Sequence, residues 1–315
     1  MKNKRLRIIF MGTPEFAVPS LDMLIRNGYD ICCAVTQPDK PKGRGNKMLP
    51  SPVKARAEQQ GIPVLQFSRI SREGVGTLLS LEADLMVTVA YGQILSDAVL
   101  AICPFGCINV HASLLPRYRG AAPIERAIMA GERTTGVSTM CTVREVDAGD
   151  VLEQDIVEIL PEDTGGTLRA KLAEVGAETL RRTIEKLSFG TLRRTPQRAE
   201  LATYAPAFEK DFGRVRFNDT CEHIVDLIRA INPQPGAYTL LGDTKLKLWL
   251  AVKVNLPAGM PGEIMLADQN NGLIVSAADG SVEILRLQYP GGREMSARDF
   301  LRGHGGLIVP GMRLL

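Results

Sequence analysis

The sequence predicts an α/β fold, a doubly wound and mainly parallel sheet, followed by a small β-barrel domain. Three observations carry this expectation. Short continuous apolar runs alternate with helical segments over the first part of the chain. One long amphipathic stretch then gives way to a polar, basic connector. Beyond it, short β-like segments are separated by Gly, Pro, Asn and Asp, the pattern of a small barrel.

The runs Leu6 to Met11, Ile31 to Thr36, Ala83 to Ala90 and Cys107 to Val110 are apolar and bounded by turn signals, as in strands covered on both faces. Between them, Val18 to Arg26, Pro52 to Gln60, Ser71 to Leu81 and Ala122 to Ala130 carry helical spacing or helix-starting residues. This βαβ rhythm implies a parallel sheet whose ligands bind beyond the carboxyl ends of the strands. From Thr167 to Leu187, the residues Leu168, Leu172, Val175, Leu180, Ile184 and Leu187 form one apolar stripe, the mark of a long helix closing the first domain. The segment after it holds Arg193, Arg194, Pro196 and Arg198 and reads as an exposed linker. A short helix containing Ile224, Leu227, Ile228 and Ile231 stops before Asn232-Pro233. Strands are expected over Leu246 to Val254, Gly262 to Met265, Gly272 to Ala277 and Ser281 to Leu287. The expected division is 1–189 for the catalytic domain, 190–208 for a basic linker and 209–315 for an OB-like barrel.

Composition narrows the function classes. Lys and Arg number 38 against 35 Asp and Glu, so overall charge demands no polyanionic partner and local charge must decide. The first apolar run is too short for a signal sequence, and none approaches the roughly 20 residues that span a bilayer, so a soluble protein with no membrane partner is expected. Six cysteines form no C-x-x-C pair, which favours buried, reduced thiols and a cytoplasmic location. Three widely spaced histidines offer no zinc-ligand pattern, so no metal is expected. After the first strand, Gly12-Thr13-Pro14-Glu15 lacks the glycines that let a backbone approach a pyrophosphate, which argues against a dinucleotide.

The chemistry concentrates at the end of the fourth run. Asn109 and His111 lie two residues apart, so a strand presents both on one face. About a turn, helix and strand later comes Asp147-Ala148-Gly149-Asp150. Transfer of an acyl group to an amine develops an oxyanion and releases a proton, and an amide, an imidazole and a carboxylate can serve both needs. Taken alone, His111 can equally be a hydrogen-bonded core residue and Asp147 the start of a turn.

The surrounding words decide between these readings. Ser113-Leu114-Leu115-Pro116, then Arg117-Tyr118-Arg119-Gly120-Ala121-Ala122-Pro123-Ile124, and upstream Val89-Ala90-Tyr91-Gly92-Gln93-Ile94-Leu95, resemble the formyltransferase family that uses 10-formyltetrahydrofolate. The resemblance implies a Rossmann-like formyltransferase domain with Asn109, His111 and Asp147 as the catalytic set. It implies that Ser113, Leu114, Leu115 and Pro116 line a folate site and that Gln93 and Ile94 lie near the pterin ring, with 10-formyltetrahydrofolate as cosubstrate and no metal.

The acceptor is read from the segment Thr36 to Lys54. Pro and Gly there argue against a regular element, while Lys40, Lys42, Arg44, Lys47 and Lys54 concentrate positive charge on a loop able to follow a phosphate backbone. Its wording resembles the insertion of methionyl-tRNA formyltransferases. This implies initiator methionyl-tRNA as partner, Arg44 as the main contact and Lys42 and Lys47 as lesser ones. The ending Met295 to Leu301 with Pro310-Gly311 resembles the same family, so the match runs almost end to end. Two departures stand out: Arg144-Glu145 where the family commonly has a Gly, and Gln234 where it has an aromatic. A monomer is expected. The competing readings are a formyltransferase acting on a nucleotide-linked amino sugar, whose loop should lack the basic Pro-Gly wording, and a folate- or RNA-binding module without turnover, indifferent to loss of His111 or Asp147.

Overall fold

The computed structural model describes residues 6–42 and 47–315. The chain separates into two compact units. The first is formed by the described part of Met1–Pro123 with Thr134–Glu158 and Arg169–Pro206; the second by Ile124–Arg133, Ile159–Leu168 and Ala207–Leu315.

Along the chain, the first unit begins with β1 (Arg7–Gly12), α1 (Val18–Arg26), β2 (Asp30–Thr36), β3 (Lys40–Lys42), β4 (Lys47–Leu49), α2 (Pro52–Gln59), β5 (Val64–Gln66), α3 (Ile70–Glu73), α4 (Val75–Leu79), β6 (Leu85–Val89), α5 (Asp97–Leu100) and β7 (Cys107–His111). They are followed by α6 (Pro123–Met129), β8 (Thr134–Cys141), β9 (Val151–Glu158) and α7 (Gly165–Ser188). The seven strands lie in the order β5-β2-β1-β6-β7-β8-β9. Pairing is parallel from β5 to β7, then antiparallel through β8 and β9.

Ile8, Ile9, Phe10 and Met11 of β1 are wholly buried, as a central strand covered on both faces requires. β9 instead alternates partly buried residues with mostly exposed ones as the edge strand of its antiparallel pair, and this weaker pattern hides it from a search for apolar runs. Ser51 caps α2 by accepting the Lys54 N–H at 3.1 Å, with Pro52 opening the helix. The single helix expected over Ser71 to Leu81 is two short ones that break at Gly74, where glycine weakens a helix interior.

The basic segment corrects a second expectation. Rather than lacking regular structure, it forms a two-stranded ribbon in which Lys40 faces Leu49, Pro41 faces Met48 and Lys42 faces Lys47. The ribbon has only edges, so the missing N–H of Pro41 costs no central ladder bond.

The second unit contains α8 (Cys221–Ala230), β10 (Ala237–Leu241), β11 (Thr244–Val254), β12 (Ile264–Asp268), β13 (Gly272–Ser276), β14 (Ser281–Gln288), β15 (Met295–Ser296) and α9 (Ala297–His304). Its strands run β10-β11-β14-β13-β12, all antiparallel, with β15 against β14. The last residues bridge the two open edges. Leu314 pairs with Leu241 and Arg313 with Glu263, and the Leu240 and Leu315 backbones exchange hydrogen bonds of 2.9 and 3.0 Å. This closure makes the sheet a barrel. Its interior holds Leu246, Leu248, Leu273, Val275, Val282, Ile284 and Leu287, all wholly buried.

Candidate active site

β7 stands where the first sheet changes sense, with parallel β6 on one side and antiparallel β8 on the other. Its carboxyl end carries Asn109 and His111. The Thr88 hydroxyl on β6 lies 3.0 Å from Asn109 Oδ1 and donates to it. That bond orients the amide. Asn109 Nδ2 then points its hydrogens elsewhere, and none of the described residues accepts them.

His111 is buried, with 6 % of its surface exposed. Its Nε2 lies 2.9 Å from the Tyr118 carbonyl oxygen. A carbonyl only accepts, so Nε2 carries a proton, and it is Nδ1 that offers a lone pair when the ring acts as a base. Nδ1 faces Asp147 Oδ2 at 3.6 Å, longer than a hydrogen bond. Asp147 Oδ2 is held by the Gly120 N–H at 2.8 Å, while Oδ1 has no partner among the described residues. The site therefore presents one unused donor and two unused acceptors, Asn109 Nδ2 against His111 Nδ1 and Asp147 Oδ1.

The loops that hold these groups are strained. Tyr118 and Asp147 both have positive φ, 58° and 50°, in the region that disfavours side chains, and so does Ala90 after β6 at 47°. Beside Asp147, a Cβ on Gly149 would fall 1.8 Å from the Cys141 carbonyl oxygen, so only glycine fits there. Cys107, two residues before Asn109, has its thiol pushed up to about 11 by burial, which makes it no nucleophile at neutral pH.

Residues 113 to 116 lie directly after β7. The Ser113 hydroxyl donates to the Arg117 carbonyl at 2.6 Å, and Leu115 is buried. The loop is pinned from β8 and β9: Ser138 Oγ accepts the Leu115 N–H and donates to the Ser113 carbonyl, and Gln154 donates to the Leu115 carbonyl. Leu114 and Pro116 are left half-buried. On the β6 side, Gln93 is spent on the protein, accepting the Ile70 N–H and donating to the Phe67 carbonyl. Ile94 is 73 % exposed, and the buried Tyr91 hydroxyl has no hydrogen-bond partner among the described residues. Lys42 and Lys47 face each other at the end of the ribbon, and Arg44 lies outside the described residues. Lys54, counted in the basic segment, is turned inward onto Asp39 at 2.6 Å and Gln66 at 3.0 Å.

Several residues that shape the site carried no signal in the sequence reading. Thr88, Ser138 and Gln154 act across strands that are distant in sequence. Gln197, on the connector, donates to the carbonyls of both Asp147 and Gly149 and accepts from Arg119. Arg144, one of the two departures noted above, makes a loose exposed pair with Asp97 at 3.8 Å, which contributes little. Among the described residues, no group of three or more His, Cys, Asp or Glu is arranged to hold a metal ion, and no helix is long and apolar enough to cross a membrane.

Comparison with known proteins defines the class first. Residues 4–184 match the family model described as formyl transferase, and residues 208–305 match that of the formyl transferase C-terminal domain. A methionyl-tRNA formyltransferase of Ruminiclostridium cellulolyticum is 46% identical over 303 residues, covering 95% of this chain and 97% of the relative. The chain belongs to the methionyl-tRNA formyltransferase family. Among solved structures, the sugar 3N-formyl transferase WlaRD, determined in the presence of dTDP and 5-N-formyl-THF, aligns with a TM-score of 0.68 at 18% identity, covering 92% of this chain and 100% of that one. HypX from Aquifex aeolicus in complex with tetrahydrofolic acid aligns at 0.63 with 19% identity; the match covers 95% of this chain, which spans about half the length of HypX, 47%. At such identities the likeness speaks for the fold.

Proposed function

We propose that the chain transfers the formyl group of 10-formyltetrahydrofolate to the α-amino group of methionyl initiator tRNA, with Asn109, His111 and Asp147 as the catalytic set. The observation that carries this reading is the pairing of an unused amide donor with two unused proton acceptors at the carboxyl end of β7. When bound, the folate supplies a formyl carbon on N10 that takes the amine's lone pair as the carbon–N10 bond breaks.

The protein's part follows from its polarity. Asn109 Nδ2 donates to the formyl oxygen, and its hold strengthens as negative charge develops there. His111 Nδ1, beside the Asp147 carboxylate, accepts the proton that the attacking amine must lose. That proton ends on the departing N10, so the step is balanced with no other reagent. The Thr88 hydroxyl and the Tyr118 carbonyl fix the amide and the ring before substrate arrives, which lowers the cost of orientation. Residues 113 to 116 and the segment with Gln93 and Ile94 form the folate side, Leu114, Pro116 and Ile94 offering the accessible apolar surface. Lys42, Arg44 and Lys47 form the tRNA contact, and the barrel of 209–315 serves as a second RNA-binding element.

The test is formyl transfer from labelled 10-formyltetrahydrofolate, offering methionyl initiator tRNA, methionyl elongator tRNA and a nucleotide-linked amino sugar in parallel. Label on initiator tRNA alone is expected. Label on the sugar would install the competing reading, and folate binding without transfer to any acceptor would leave a module without turnover.

A further inference from the structure

The connector after α7 is exposed along most of its length, yet it is bonded to the loops of the site at successive points. Thr195 pairs with Val151, Thr203 accepts the N–H groups of Tyr118 and Arg119, and Ala205 donates to Arg119. In the middle stands Gln197. Its Nε2 donates to the carbonyls of Asp147 at 2.8 Å and Gly149 at 2.7 Å, and its Oε1 accepts from Arg119 Nε at 3.0 Å and Nη2 at 2.7 Å. Every polar valence of the amide nitrogen is used, and no other orientation works: turned over, oxygen would face two carbonyls and the NH2 would face a guanidinium.

The two loops that Gln197 joins hold the two members of the proton-accepting pair. One supplies the Tyr118 carbonyl to His111 Nε2, and the other carries Asp147 at a φ that its side chain disfavours. The Asp147 side chain is held by Gly120, but its backbone is held by Gln197. Arg119 is 7 % exposed and has no carboxylate within ion-pairing reach among the described residues, so its guanidinium is committed to the Gln197 oxygen.

We propose that Gln197 is a positioning residue for the transfer reaction, fixing Asp147 against His111 by tying both of their loops to the connector. The inference rests on the reading of His111 and Asp147 as the proton-handling pair. Among the described residues, the groups hydrogen-bonded to the amide are the Arg119 guanidinium and the carbonyls of Asp147 and Gly149.

The test replaces Gln197 in the full chain by Ala and by the isosteric Glu, with Asp147→Asn and His111→Ala measured in the same transfer assay. Gln197→Ala and Gln197→Glu are expected to lower kcat by about 100-fold, the scale of an ångström of misplacement, with KM for the folate and the tRNA unchanged. Gln197→Glu has a further signature. As pH falls its carboxyl gains a proton and donates again to one carbonyl, so its activity relative to the parent rises toward acid, which Gln197→Ala cannot do. Retained turnover in Asp147→Asn and His111→Ala would overturn the site reading itself. Loss in those two, with parental kcat and pH profile in both Gln197 variants, would overturn the positioning role alone. Failure of both Gln197 variants to fold, shown by a collapsed melting temperature, would also overturn it and leave a purely structural residue.

Discussion

The two sheets satisfy their backbones in opposite ways. In the second unit the antiparallel ladder closes on itself through residues 313 to 315, so backbone bonds to backbone. In the first, parallel strands end in loops, and the loops around β7 rely on side chains: Ser138, Gln154 and Gln197 between them bond backbone groups of residues 113, 115, 147 and 149. A ladder is indifferent to most side chains, whereas a side-chain strut is lost with one substitution. Chemistry sits where the fold leaves backbone for side chains to hold, because only there can polar groups be aimed one at a time.

This contrast can be broken most severely at the site. Asp147→Asn or His111→Ala should lower transfer by about 10²–10⁴-fold, the usual worth of a placed acid or base, with an unchanged melting curve. Asn109→Ala should cost about 10²–10³-fold in kcat, as loss of an oxyanion donor does. Steric intrusion comes next. Gly149→Ala drives a Cβ to within 1.8 Å of the Cys141 oxygen, and a loss of about 4 kcal/mol or more is expected in chemical denaturation. Gly76→Ala in α4 meets nothing within 4 Å and should gain about 0.5–1 kcal/mol. In the barrel, Leu248→Ala should cost about 2–5 kcal/mol while leaving folate affinity at its parental value, a result that separates the two units.

A smaller effect is expected from pH. Burial pushes the Cys103 and Cys107 thiols up to about 12 and about 11. Raised values mean that the folded chain prefers the neutral thiol, so this stability is fully present below the unfolded thiol's value, about 8.5, and is lost as pH rises through the folded values. The denaturant midpoint should fall between pH 8 and pH 11, and Cys107→Ala should flatten that fall. The least effect is expected from Lys54→Met. Its pair with Asp39 is partly exposed, and the change should stay within about 1 kcal/mol in the same denaturation assay.

Much of the fold was legible in the residues because burial on both faces writes a continuous apolar run. The strands expected over Leu6 to Met11, Ile31 to Thr36, Ala83 to Ala90 and Cys107 to Val110 correspond to β1, β2, β6 and β7, and the helix over Val18 to Arg26 has the same ends as α1. The edge strands β5 and β9 were silent, being short or alternating. So was the closing segment, whose pairing depends on two distant edges rather than on local pattern. At the site, the i, i+2 spacing of Asn109 and His111 and the later Asp147 could be read as a constellation. The role of Thr88, the strain at Tyr118 and the grip of Gln197 could not, because each depends on contacts between residues 21 to 78 positions apart or on a backbone angle.

The bond from the Gly120 amide to the Asp147 carboxylate has a consequence for time as well as for position. A connector with few buried side chains opens locally at a lower free energy than the sheet beneath it. The amides of Arg119 and Ala205, bonded to Thr203 and Arg119 across that connector, therefore exchange their hydrogens with solvent at the pace of its opening. The Gly120 hydrogen is held by the carboxylate itself, so its exchange rate counts the moments at which Asp147 is out of place. One proton in the backbone thus keeps a clock of how often the site is assembled.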